Sequence, residues 1–147
     1  MVSLTRDCEM FILTDEDDIS DFDCGNADLN EFFNQDAIQY RHQMLSRTCF
    51  YRYKSNGTVV CAFSFSAGSI KTSDLPGSRR KKVKECIPSE KSLKSYPALL
   101  IVRLGVATEF TGRGVGSQVI DAIKNLCLMN FPDFVRFRWL MLIMSLL

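Results

Sequence analysis

The first third of the chain has short apolar segments separated by polar ones. Four consecutive apolar residues, 10–13, predict a short strand, and the mostly acidic stretch Asp15–Asp23 predicts a solvated loop. Asn26 is a suitable N-cap and is followed by apolar residues at helical spacing, so a short helix is predicted to begin near it. A second helix is predicted over Gln35–Leu45. This third therefore has the order β, α, α.

The middle of the chain changes to the alternating pattern of strands. Arg47–Tyr53 and Thr58–Ile70 each alternate apolar with more polar residues. Between them lies Ser55–Gly57, in which Asn and Gly tolerate the positive φ angles of tight hairpin turns, so an antiparallel hairpin is predicted. Ser69–Pro97 is a polar insertion, within which a helix is predicted over Ser78–Cys86.

The leading functional signal is a strand, a glycine-containing turn and a helix in direct succession. The apolar run Leu99–Ala107 predicts a strand buried on both faces. Three glycines then occupy every second position within Thr111–Ser117, a segment that we call the glycine turn. A helix is predicted over Gly114–Met129. Uncovered backbone N–H groups and the positive end of a helix together form a site for phosphate or another anion. The alternative is that the glycines only connect the strand to the helix.

Composition limits the class of protein. A chain of 147 residues with 46% hydrophobic content is expected to form a single domain, residues 1–147. The six cysteines are scattered without CxxC spacing and no signal peptide precedes them, which favours reduced thiols and a cytoplasmic location. The apolar segment Trp139–Leu147 is shorter than the roughly 20 residues of a membrane helix, so no membrane association is expected.

The glycine turn lacks two common nucleotide-binding motifs. It has neither the Gly-Lys-Ser/Thr of a P-loop nor the GxGxxG of a dinucleotide-binding fold, which disfavours a nucleotide hydrolase or a dehydrogenase. It resembles the acyl-CoA pyrophosphate loop of the GNAT superfamily of N-acyltransferases. Arg113–Gly116 fits the second half of that pattern, whereas Thr111 stands where Gln or Arg is usual.

Three segments extend this resemblance to one subgroup, the toxin-like acetyltransferases that modify aminoacyl-tRNA. Phe22–Gly25 with the following Leu29 and Phe32 resembles the opening "FxCG…LNxFL" of that subgroup. Gly57–Ser69 resembles its strand "VVGYYTLSAGSI", and Val102–Gly116 resembles its "LxRLAVDxxxQGRGLG". Three matches in the same order are much more specific than one.

The resemblance implies an α/β fold with a GNAT-type mixed sheet flanked by helices. It implies acetyl transfer from acetyl-CoA to a primary amine, the α-amine of an aminoacyl-tRNA, without a metal. The partners that the resemblance implies are tRNA, a ribbon-helix-helix antitoxin and a second copy of the chain. Backbone groups of Leu104 and Val106 would pair with the pantetheine amides. The pyrophosphate would be held by the glycine turn, namely Thr111, Gly112, Arg113, Gly114, Val115, Gly116 and Ser117.

The C-terminal part departs from the subgroup. After Phe131 a strand, a helix carrying a proton-donating tyrosine and a final strand pair are expected, but the sequence there is Arg136–Leu147. The expected tyrosine is absent, so no catalytic residue is assigned. With an A ending the codon of Arg138, one allowed coding of residues 139–147, read in another frame, gives Met-Val-Asp-Ala-Tyr-Asn-Glu-Pro-Val, close to the expected strand. We therefore hypothesise a frameshifted, truncated acetyltransferase with an exposed sheet edge and a tendency to aggregate.

Two other groups of residues were candidates for function. A run of basic residues either forms a solvent-exposed face or contacts tRNA phosphates. Its members are Arg79, Arg80, Lys81, Lys82 and Lys84. His42, the only histidine, is expected to lie at the surface or in packing rather than to act in catalysis. Two rival functions stay open: a non-catalytic remnant that binds acyl-CoA or only an antitoxin, and a basic nucleic-acid-binding module without a CoA site.

Overall fold

The computed structural model describes residues 2–71, 73, 77–78, 80–81 and 95–130. In chain order the elements are α1 (Leu4–Asp7), β1 (Cys8–Ile12), α2 (Ala27–Glu31), a π-helical turn (Phe32–Asp36), α3 (Ala37–His42), β2 (Arg47–Tyr53), β3 (Val59–Lys71), β4 (Ser95–Val106), a 3-10 turn (Thr108–Phe110) and α4 (Val115–Asn130). The predicted segment Trp139–Leu147 and most of the predicted helix Ser78–Cys86 lie outside the described residues.

The strands form one sheet in the order β1-β2-β3-β4. The predicted hairpin is confirmed, because β2 and β3 pair antiparallel and Gly57 has a φ of 75° between them. β1 pairs antiparallel with β2, and β4 pairs antiparallel with β3. Every pairing among the described strands is antiparallel. The helices together with this sheet confirm the predicted α/β class.

The two predicted helices near the N-terminus are one continuous helical segment. The Asn26 side chain caps it by accepting a hydrogen bond from the Leu29 N–H (3.0 Å), as predicted. The predicted boundary after Asn34 is wrong, because a π-helical turn joins α2 to α3 there. Phe32 and Phe33, which are adjacent in sequence, are both buried in this turn.

The core contains the predicted apolar side of α4, where Val115, Val119 and Ile123 are almost fully buried. The prediction that β4 is buried on both faces is only partly met, because Ile101 is buried while Leu104 and Val106 are half-buried. β4 has one strand neighbour, β3, in the described part of the chain. Among the described residues, no helix is long and apolar enough to cross a membrane.

Candidate functional site

The glycine turn follows β4 through the short 3-10 turn. Gly112 and Gly114 have φ angles of 77° and 75°, which L side chains rarely adopt, so glycine is needed at both positions. A Cβ atom added at Gly112, Gly114 or Gly116 would meet nothing within 4 Å. The backbone of this turn is therefore open to close approach by another molecule.

The helix that begins in the glycine turn supplies partial positive charge. The Gln118 N–H donates to the Gly114 carbonyl (3.4 Å), which closes the first turn of α4. The N–H groups of Val115, Gly116 and Ser117 precede this bond and lack intrahelical acceptors, as at every helix start. The predicted arrangement of uncovered amides at a helix N-terminus is thus present, while their assignment to a phosphate stays a prediction.

Backbone groups of β4 are available beside this turn. The Ala107 N–H donates to the Val60 carbonyl of β3 (2.8 Å). Backbone polar groups alternate in direction along a strand, so those of Leu104 and Val106 point away from β3. No described strand pairs with that edge of β4. The two residues predicted to bind an extended amide chain therefore offer unpaired backbone groups within the described structure.

Gln118 holds the glycine turn against the N-terminal segment. Its Oε1 accepts from the Leu4 N–H (2.8 Å), and its Nε2 donates to the Val2 carbonyl (2.7 Å) and to the Gly114 carbonyl (3.4 Å). The sequence pattern does not predict this contact, because the two segments are more than a hundred residues apart and nothing in their local pattern connects them.

The side chain of Arg113 lies at the exposed surface of the turn. Its guanidinium is 5.8 Å from the centre of the Phe110 ring, which is buried. This loose cation–π contact leaves the guanidinium available for an anion at the turn.

A separate cavity of about 300 Å³ lies beside the end of β4. Its lining residues are Asp21, Phe22, Asp23, Thr58, Val59, Ala107, Thr108 and Glu109. Hydrogen bonds from the Gly25 N–H and the Asn30 side chain lower the pKa of Asp23, which keeps this carboxyl ionised. Three acidic side chains make the cavity unsuitable for a phosphate, and it contains none of the predicted binding residues.

Other candidate residues are only partly described. Arg80 and Lys81 are helical, and Arg80 donates to the Ser73 carbonyl (3.4 Å). Arg79, Lys82 and Lys84 lie outside the described residues, so the basic run stays a prediction. No group of three or more histidine, cysteine or acidic side chains is placed to hold a metal ion in the part that the structure describes.

His42 lies at the surface, one of the two placements that its sequence context predicts. Its Nε2 lies 2.8 Å and 2.9 Å from the two carboxylate oxygens of Asp15, and both side chains are more than half exposed. The sequence interpretation missed this partner because the two residues are far apart in the chain. A pair this exposed to water has no shielded position for a substrate.

Among the described side chains, four cysteines form no disulfide, while the reduced state expected from their spacing stays a prediction. They are Cys8, Cys24, Cys49 and Cys61. Burial raises the pKa of Cys49 to about 11 and that of Tyr51 to about 12, so both are poor candidates for proton transfer at neutral pH.

The sheet, the bulged strand β4 and the glycine turn together form the fold seen in solved structures of the toxin AtaT and of KacT. The tRNA-acetylating toxin of Mycobacterium tuberculosis is 30% identical over 112 residues, which are 76% of this chain and 61% of that protein. The chain thus spans about three fifths of the length of this relative. No family model matches the chain.

Solved structures have the same fold. AtaT complexed with acetyl-methionyl-tRNAfMet matches with a TM-score of 0.68 and 23% identity, over 84% of this chain and 70% of AtaT. A KacT mutant matches with a TM-score of 0.69 and 16% identity, over 86% and 74% of the two chains. AtaTR bound with AcCoA matches with a TM-score of 0.61 and 24% identity, over 82% and 67%. These likenesses confirm the fold that the resemblance of the three sequence segments implies.

Proposed function

We propose that this chain binds acetyl-CoA and transfers its acetyl group to the α-amine of an aminoacyl-tRNA. The observation that carries the proposal is the glycine turn at the N-terminus of α4, which follows directly on the edge of β4 that no described strand pairs with. An anion site and an edge with unpaired amides suit the pyrophosphate and the pantetheine of one CoA molecule. The tRNA-acetylating toxin and the AtaT complexes named above support the choice of reaction.

Each part of the site has a defined role in this proposal. Leu104 and Val106 pair their backbone groups with the pantetheine amides, which extends the sheet by one strand-like segment. The amides of the glycine turn, Thr111 to Ser117, hold the pyrophosphate, and the Arg113 guanidinium adds a charge-assisted contact. This arrangement fixes the thioester at the edge of β4.

The neutral acceptor amine attacks the thioester carbonyl carbon, the carbon–sulfur bond breaks and CoA leaves as a thiolate. The attacking nitrogen loses one proton as the amide forms, and the thiolate takes up this proton. The chain contributes by positioning the two substrates, which lowers the entropic part of the barrier. We assign no catalytic residue to the described part of the chain.

The proposal includes partners and a location. The basic residues Arg79 to Lys84 would contact tRNA phosphates, and an antitoxin would restrain the toxin, as the AtaT structures bound to AtaR suggest by analogy. The free thiols of the described cysteines agree with reaction in the cytoplasm.

Calorimetry with acetyl-CoA tests the cofactor site. Gly116→Asp places a carboxylate where a Cβ meets nothing, so the fold should tolerate it while the like charge opposes the pyrophosphate. We expect wild type to bind and Gly116→Asp to bind at least about ten-fold more weakly. Asn125→Asp, an exposed position on the same helix, adds the same charge away from the turn and should bind as wild type does.

Acetylation of charged tRNA in the presence of acetyl-CoA tests the reaction. Binding of acetyl-CoA without product would replace the proposal by the non-catalytic alternative, a protein that only binds acyl-CoA. The absence of any heat of acetyl-CoA binding by wild type would refute the cofactor site itself.

A further inference from the structure

Arg103 on β4 occupies an unusual position for a charged residue. Its side chain is half-buried, and its guanidinium carbon lies 3.9 Å from the centre of the Phe32 ring and 5.7 Å from that of Tyr40. The two rings pack edge to face, with their centres 5.1 Å apart. This aromatic pair holds the guanidinium in a fixed place, and its edge N–H groups keep their donor capacity with respect to the described residues.

The guanidinium N–H groups of Arg103 have no acceptor among the described residues. The ion pairs found among the described residues join other side chains, and Arg103 makes only the two ring contacts. Arg52 shows the contrast: its guanidinium also lies over an aromatic ring, 5.0 Å from the centre of Phe50, but donates to the carbonyls of Gly57 and Asp18 at 2.9 Å. A half-buried guanidinium without an acceptor is suited to an external anion.

Two backbone irregularities meet at Arg103. The pairing of β4 with β3 changes register beside it, because Arg103 is opposite Ser64 whereas Ile101 is opposite Phe65. Phe32, the ring under the guanidinium, begins the π-helical turn. Bulges in strands and π turns in helices are both concentrated at functional sites. Arg103 is also adjacent in sequence to Leu104, the first residue of the proposed pantetheine edge.

We propose that Arg103 binds a phosphodiester group of the RNA acceptor and so positions the acceptor's end next to the thioester. The planar fork of the guanidinium matches two phosphate oxygens, and the aromatic pair reduces the entropy lost on binding. This inference rests on the proposed function, because it assigns a binding residue for the acceptor of that reaction.

The test measures binding of an uncharged tRNA acceptor-stem minihelix with a single-stranded 3′ end at several salt concentrations. Arg103→Met keeps an apolar stem over the Phe32 ring but removes the N–H groups, and we expect about ten-fold weaker binding. We also expect the slope of log affinity against log salt to fall by about one, the value for one lost phosphate contact. Arg103→Lys retains the charge and should restore most of the slope but only part of the affinity.

The matched control is Arg6→Met, which removes the same charge from an exposed side chain of α1 and should leave binding and slope as in wild type. Thermal melting of each variant verifies that it is folded, and acetyl-CoA calorimetry verifies that the cofactor site is intact. Equal minihelix affinity for wild type and a folded Arg103→Met, or no minihelix binding by wild type, overturns the inference. Either result leaves acetyl-CoA binding as a separate measurement, so failure of the cofactor site is distinguishable from failure of this inference.

Discussion

Gln118 provides the sharpest test of how the glycine turn is held in place. In Gln118→Ala, the Leu4 N–H and the Val2 carbonyl lose the partners that lie 2.8 Å and 2.7 Å away. Val2 and Leu4 are 6% and 2% exposed, so water replaces these hydrogen bonds poorly. A buried polar group left unpaired costs about 1–3 kcal/mol, and because both hydrogen bonds are only partly buried, the sum for the two groups is about 2–3 kcal/mol.

This loss is large enough to measure by thermal unfolding. At about 2–4 °C per kcal/mol for a chain of this size, the melting temperature should fall by roughly 4–12 °C. Gln118→Glu is the informative companion, because its carboxylate still accepts from the Leu4 N–H but cannot donate to the Val2 carbonyl. It should therefore be destabilised at neutral pH and partly recover when the carboxylate is protonated.

The control for this prediction is Asn125→Ala, a polar truncation at an exposed position of the same helix, which should melt within about 1 °C of wild type. Amide hydrogen exchange at Leu4 gives a local measurement, since loss of its acceptor should speed the exchange of this N–H. A Gln118→Ala variant with the melting temperature of wild type and unchanged exchange at Leu4 would refute the proposed tether.

Two further predictions concern the core. Thr48 and Ser64 are both buried and hydrogen-bond through their hydroxyls; Thr48→Val strands the Ser64 hydroxyl and should cost about 1–3 kcal/mol in urea unfolding, whereas adding Ser64→Ala should recover part of this. An additive loss in the double variant would contradict the pairing. Burial raises the pKa of the Cys49 thiol from 9.0 to about 11, so the folded state keeps a proton that the unfolded state loses. The contribution of Cys49 to the free energy of unfolding is therefore complete below pH 9 and decreases as the pH rises to about 11. Urea unfolding of wild type and Cys49→Ala at pH 7.5 and pH 10 should show that the free energy of unfolding falls less at pH 10 in the variant. An equal fall in both proteins would exclude Cys49 as a source of the pH dependence.

Local chemistry explains what could be predicted from the sequence. The Asn26 cap, the hairpin at Gly57 and the helix that begins in the glycine turn each depend on residues within a few positions of one another, so their signals are complete in a short segment. The residues of the candidate anion site are contiguous for the same reason. The predicted break after Asn34 was wrong because the burial of both Phe32 and Phe33 depends on what packs against them, which the local pattern does not contain.

Tertiary structure decided the contacts that position the site. Gln118 with Leu4 and Arg103 with Phe32 each join segments distant in sequence. The sequence offers many residues of similar chemistry that could serve as the partner in each contact. Only the packing of the sheet and helices decides which of them lies close enough. The sequence by itself therefore determined that a strand leads through a glycine turn into a helix with an open N-terminus. The fold determined that no described strand pairs with the edge of β4 beside that turn. It also determined that the half-buried Arg103 lies over two aromatic rings next to this edge. Both features depend on which strands and helices meet in space.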